Sequence, residues 1–229
     1  MRIVSLNVAQ LAGKSGFIPL ARRNAKHVAP RLAGLLLGEA PDVLALQEAP
    51  PPREHFDPVS TLIGDGAEVR IVRHLSPRHG PAILTRRPLL RSGAQLFAET
   101  RRDGKGFAFV QVQTNAGPLL IASVHLAILH RPSRRKQIDW LADALSLFDG
   151  LKVVVGDLND GHDAPLYLAQ RLGLVPHSAG KTFPSTLPAL RLDWAFASRE
   201  ITVRRVDALR HLPSDHCAVR LDLDLEARQ

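Results

Sequence analysis

The chain has 229 residues, 45% of them apolar, and 30 Lys plus Arg against 22 Asp plus Glu give a net charge of +8. That length and apolar content exclude a disordered chain and predict one well-cored domain over residues 1–229. The single cysteine, Cys217, excludes an internal disulfide and a cysteine-built zinc site. No apolar run is long enough to span a bilayer, and Asn7, Gln10 and Lys14 interrupt any signal-peptide core, so the expectation is a cytoplasmic monomer.

In chain order, residues 2–7 read as a strand. Residues 22–38 have a helical period that Pro30 interrupts, which predicts a start or a kink there. Residues 43–47 form a second strand with a stiff exit through Pro50, Pro51 and Pro52. Strands follow over 68–73, 82–85, 107–113 and 119–125. Residues 133–148 read as a helix with Ser133 as N-cap and Ile138, Leu141, Ala142 and Leu145 on one face. A strand over 153–156, a helix over 164–172 and strands over 192–197, 201–206 and 217–223 complete the chain. No internal repeat or low-complexity linker is found. Many short strands with few helices predict an α/β fold of two sheets packed face to face and flanked by helices.

Chemistry is signalled by polar residues where apolar strands stop. Ile3-Val4-Ser5-Leu6 runs into Asn7, Val43 to Gln47 into Glu48, Leu120 to Val124 into His125, and Val153 to Gly156 into Asp157, with Asn159 just beyond. Asp215-His216 stands just before the apolar Cys217-Ala218-Val219. An ionisable group at the end of a buried strand is costly unless it is paired or binds a ligand, and strand ends of layered α/β folds collect sites. Each residue alone has a plain structural explanation: a turn cap for Asn7, a solvated strand end for Glu48, a satisfied rim histidine for His125, an alternating strand position for Asp193, surface turns for the others. Their order is what carries the argument.

That order resembles the endonuclease/exonuclease/phosphatase superfamily, in Ser5-Leu6-Asn7-Val8, Leu46-Gln47-Glu48, Ser123-Val124-His125, Gly156-Asp157-Leu158-Asn159, Arg191 to Ser198 and Ser214-Asp215-His216. The segments Ala82 to Leu89 and Thr182-Phe183-Pro184-Ser185 are similar to it as well. The resemblance implies a four-layer, deoxyribonuclease-like sandwich with its site at one rim, hydrolysing phosphate esters with Mg2+, or Mn2+ in its place. It implies metal ligation by Asn7, Glu48 and Asp215, a sparse oxygen set of the kind magnesium uses. His216 is the candidate general base with Asp193 as its orienting partner. His125 would neutralise the phosphate or protonate the leaving oxygen, while Asp157 and Asn159 position the nucleophile. Whether Asp157 or His216 takes the proton stays open. Ala9 stands where several family members carry an acid, and Pro81 follows Gly80 where the family often has Asn.

Rival motifs fail. Gly180-Lys181-Thr182 and Gly13-Lys14-Ser15 lack the first glycine of a P-loop, and no Gly-x-Ser-x-Gly or His-Glu-x-x-His occurs. The Gly156-Asp157 element lacks the other motifs of calcineurin-like phosphoesterases. Three basic clusters offer phosphate contacts: Arg22, Arg23 and Lys26; Arg101, Arg102 and Lys105; and Arg131, Arg134, Arg135 and Lys136. Each is more often a solvated face, but Arg131, Arg134 and Arg135 follow His125 closely enough to grip a phosphate backbone. Basic charge points first to nucleic acid, DNA above all, and second to anionic lipid or inositol phosphates, a sphingomyelinase-like alternative. An aromatic content of 5% argues against a base-stacking platform.

Overall fold

The computed structural model describes residues 1–12, 25–52, 57–63, 69–74 and 79–225. One six-stranded sheet has the order β11-β12-β1-β2-β4-β3, with β1 Arg2–Asn7, β2 Val43–Ala49, β3 Arg70–Arg73, β4 Gly80–Thr85, β11 Thr202–Leu209 and β12 Ala218–Asp224. The other has the order β5-β6-β7-β8-β10-β9, with β5 Leu89–Leu96, β6 Gly106–Thr114, β7 Gly117–His125, β8 Leu151–Asp157, β9 Val175–His177 and β10 Asp193–Ala197. In each sheet a single parallel pair, β1 with β2 and β7 with β8, lies at the centre of antiparallel neighbours. The two sheets therefore repeat one pattern of strand directions that the sequence does not display.

Alternation along the central strands explains the layers. Successive side chains of a strand point to opposite faces. Ile3, Val43, Ala45, Ile121, Val153, Val155, Ala195 and Leu221 meet between the sheets. Their neighbours turn outward. Val4, Leu6, Leu44 and Leu46 pack against Val28, Leu32 and Leu36 of helix α1, Ala25–Leu37. Leu120, Ala122, Val154 and Phe196 pack against Ile138, Leu141 and Leu145 of α2, Arg131–Ser146, and Leu168 of α3, Asp163–Leu172. The result is the layer order helix, sheet, sheet, helix expected from sequence.

Some boundaries differ from expectation. Pro30 neither starts nor ends α1 but lies within it. The N-cap of α2 is His130, whose ring nitrogen accepts from Ser133 N at 3.2 Å; Pro132 suits the first turn, so the helix begins before Ser133. Strands β5 and β9 are additional. Both are sheet edges with mostly exposed or half-buried residues, so neither carries a strong apolar signature. Arg22, Arg23 and Glu68 lie outside the described residues, as do the side chains of Lys26, Arg101 and Arg102. Among the described residues, no helix is long and apolar enough to cross a membrane.

Gly156 sets the spacing of the central parallel pair. Its φ is +147°, and a Cβ there would lie 2.0 Å from Val124 O and 2.9 Å from Val124 N. Backbone cannot yield as a side-chain tip can. Gly156→Ala is expected to destabilise the protein by more than about 3 kcal/mol, read as a lowered urea midpoint.

Candidate active site

The same alternation builds the site. On β1, β7, β8 and β10 the inter-sheet positions end in Asn7, His125, Asp157 and Asp193, each next in parity after Ser5, Ser123, Val155 and Ala195. All four are buried, none more than 3% exposed. They therefore form the polar end of the inter-sheet core, where the sheets stop covering each other. His216 joins them from the segment entering β12 and is also buried.

Asp157 is the hub. Its Oδ2 accepts from Asn7 Nδ2 at 3.0 Å and lies 3.4 Å from His125 Nε2 and 3.8 Å from His216 Nε2. Its Oδ1 accepts from Asn159 N at 2.9 Å. Asn159 adopts φ +51°, a left-handed conformation that Asn tolerates, and its amide donates to Leu126 O at 2.9 Å. This ties the loop after β8 to the loop after β7. Burial alone would raise the Asp157 carboxyl; His216, His125 and Lys105 outweigh it and hold the group well below the usual carboxylate range.

His216 and Asp193 form a close pair, Nδ1 to Oδ2 at 2.9 Å. Burial would lower the imidazole, but the charges of Asp193 and Asp157 push it up to about 10. Burial holds Asp193 above its ordinary range. The second coordination of this pair comes from residues 182–185 and 214. Asp193 N donates to Thr182 Oγ1 at 3.3 Å, the Phe183 ring lies 4.8 Å from the His216 ring, and His216 N donates to Ser214 Oγ at 3.2 Å. Ser214 in turn donates to Asn7 O at 2.5 Å, joining the start of β12 to the end of β1. Asp215 is half-buried and adds to the negative field on His216.

Glu48 reaches the site by another device. The β2–β4 register shifts between Leu46 and Ala49, and Glu48 takes φ +52° at that bulge. Bulges re-aim side chains, and a left-handed non-glycine residue costs about 1–2 kcal/mol. Gln47, by contrast, keeps the inward direction and donates to Ser5 Oγ at 3.2 Å and Ser123 Oγ at 2.9 Å, linking the two sheets beneath the site. Burial would raise Glu48, but His125, Lys105 and His79 bring it below its ordinary value.

Of the basic residues of 131–136, Arg134 is buried, while Arg131, Arg135 and Lys136 are exposed and each meets an acid or a ring of the protein. Buried Arg134 bonds Asp160 Oδ2 at 2.8 Å and Ile128 O at 2.8 Å, so it staples the two loops at the rim. Exposed Arg131 lies 3.1 Å from Asp163, and Arg135 stacks 4.8 Å over the Tyr167 ring. Lys105, expected on a basic surface cluster, is instead 4% exposed, with Nζ 2.5 Å from His125 Nε2 and 4.0 Å from Glu48 Oε1. Burial pulls the Lys105 ammonium below its ordinary value, against the opposing pull of Glu48 and Asp157. Nothing in the spacing of the sequence distinguishes Lys105 from its neighbours Arg101 and Arg102.

Two sets of groups suit a cation. Asp157, Asp193 and His216 each offer an atom within 4.8 Å of the others, but a cation there must displace the charge on His216 and break its bond to Asp193. Glu48 is freer. Its carboxylate is 18% exposed, with Gln10 Nε2 at 3.4 Å and Lys105 Nζ at 4.0 Å. It therefore keeps oxygen lone pairs for a hard ion.

The fold recurs in solved structures at low identity. The chain is similar to an endonuclease/exonuclease/phosphatase family protein from Leptotrichia buccalis (17% identity, TM-score 0.73, covering 98% of this chain and 99% of that one). It is similar to a mannosyl-6-phosphatase from Bacteroides thetaiotaomicron (16%, TM-score 0.76, 98% and 99%). It is also similar to D. rerio TDP2 complexed with a single-strand DNA product (18%, TM-score 0.74, 98% and 98%). Sequence comparison with curated proteins gives no match. The sequence profile described as the Endonuclease/Exonuclease/phosphatase family matches residues 5–216, and with it the chain is placed: it belongs to this family of phosphoester hydrolases.

Proposed function

We propose that the chain is a divalent-metal-dependent phosphodiesterase acting on nucleic acid, with DNA as its first substrate. The observation that carries this reading is the hub at Asp157, a buried carboxylate held ionised between two histidines and an amide. A carboxylate held this way stays a hydrogen-bond acceptor throughout the working pH range, and its place among donors that stabilise negative charge sets it to receive the attacking water. The net charge of +8 favours a polyanion, and TDP2, a protein of the same fold, is complexed with a DNA product.

The roles follow from position. Asp157 takes the proton of the attacking water while Asn7 and Asn159 fix its two oxygens. His216, kept charged by Asp193, faces the anionic phosphoryl group and offsets the charge that builds there. Glu48, with Asn7 and Asp215, would hold the magnesium ion. When bound, the cation polarises a phosphoryl oxygen as a Lewis acid.

Glu48→Gln tests the metal reading. We expect it to raise the magnesium concentration for half-maximal nicking of supercoiled DNA by about tenfold or more, with partial recovery at high metal. Unchanged metal dependence removes Glu48 from the shell. A parallel arm with a sugar 6-phosphate, an inositol phosphate and sphingomyelin tests the substrate: turnover there without DNA nicking overturns the nuclease reading.

A further inference from the structure

Arg134 and Lys105 are both buried cations near the site, but they are held differently. Arg134 has a carboxylate at 2.8 Å and backbone carbonyls at 2.8 and 3.3 Å, so its charge is bonded directly to an acid even though its Nε is left without a partner. Lys105 Nζ meets the ring of His125, 2.5 Å from Nε2 and 3.4 Å from Nδ1, and the Glu48 carboxylate stands at 4.0 Å, beyond hydrogen-bond reach. An ammonium has three donors. Burying one without a directly bonded carboxylate is costly unless an anion completes it.

The backbone shows that this placement is built. Lys105 is flanked by two glycines that cannot take a side chain. Gly104 has φ +64°, and a Cβ there would lie 2.4 Å from His79 O. A Cβ on Gly106 would lie 2.2 Å from Gln95 O. Lys105 O accepts from Phe97 N at 3.0 Å, fixing the residue between them. The chain passes so close to its neighbours on both sides of Lys105 that only the lysine carries a side chain there, and that side chain runs inward to His125.

We propose that Lys105 is a substrate ligand: with His125 holding its ammonium, it donates to a phosphoryl oxygen in the cleft between His125 and Glu48. The inference rests on the phosphoester reading of the site but assigns an anion-binding residue outside the Asn7, Glu48, Asp157, Asn159, Asp193, Asp215 and His216 set. Lysine at this position serves as a point charge for a tetrahedral anion.

The test is a titration with inorganic phosphate followed by 31P line broadening, with chelator present and again with magnesium, on wild type, Lys105→Met and Lys105→Arg. Melting curves check that each variant is folded. We expect Lys105→Met to weaken phosphate binding by about tenfold or more under both conditions, and Lys105→Arg to stay within about threefold of wild type. Folded Lys105→Met that binds phosphate like wild type overturns the proposal, as does a wild-type chain that takes up no phosphate. If Lys105→Met misfolds, loss of phosphate binding in folded Lys105→Gln supports the proposal and its retention overturns it. The two readings separate cleanly. Phosphate binding that depends on Lys105, without hydrolysis of any phosphoester, supports this inference and removes the catalytic one. Hydrolysis that needs Asp157 but is indifferent to Lys105 does the reverse.

Discussion

His216→Ala is expected to lower kcat on a phosphodiester by about 10^3-fold or more, with a much smaller change in KM. His216 touches Asp193 and faces Asp157, so its loss removes the charge that balances two buried carboxylates as well as the one that meets the phosphoryl group. The same side chain ties stability to pH. Its folded pKa, about 10, lies above the ordinary 6.5. A raised pKa means that the stabilisation is fully present below the unfolded value and is lost as pH rises through the folded one. Wild type should therefore melt at progressively lower temperature between about pH 7 and 10, by an amount on the order of a few kcal/mol in stability, while His216→Ala should be flatter over that window. A wild-type melting curve no steeper in pH than that of the variant contradicts the charged His216.

Asp157→Asn is expected to be as damaging to turnover, by about 10^3-fold or more, because the amide cannot accept the water's proton. Its effect on structure has a distinct signature. Asp157 is one of the three carboxylates, with Asp193 and Asp215, that raise His216, so the variant should lower the His216 pKa, measurable by titrating its ring resonances. Breaking a buried charge cluster on one side also costs about 3 kcal/mol at neutral pH. The acid side has the opposite sign to the histidine effect. Asp157 is held below its ordinary value, so its stabilisation is present above the unfolded carboxylate pKa and lost as pH falls. An Asp157→Asn protein with an unmoved His216 titration would show that the two side chains do not share a field.

How much of this was legible beforehand depends on what encodes each feature. The central strands announced themselves because they are buried on both faces, and the polar residue at each strand end marks where that burial stops. The layer order followed from the same runs. Asn7, His125, Asp157 and Asp193 converge because inter-sheet parity carries each to the end of its strand, which pattern alone can suggest. Glu48 converges for a different reason, a bulge, which no periodicity announces. Lys105 was illegible because its burial is set by the close approach of Gly104 to His79 and of Gly106 to Gln95, partners distant in sequence. Arg134 shows the converse. A basic residue on an N-terminal helical turn looks available to phosphate, but its guanidinium spans two loops whose proximity exists only in the folded chain. Strands β5 and β9 are edges whose exposed side chains lack the apolar pattern that marks a strand.

The most direct measurement of the central claim is phosphodiester turnover by wild type and Asp157→Asn side by side, with magnesium and with chelator, on supercoiled DNA and on a small chromogenic phosphodiester. This mechanism predicts hydrolysis by wild type that magnesium supports, that chelation abolishes, and that Asp157→Asn lacks while remaining folded. Hydrolysis that persists undiminished in folded Asp157→Asn, or that is indifferent to chelation, would contradict it.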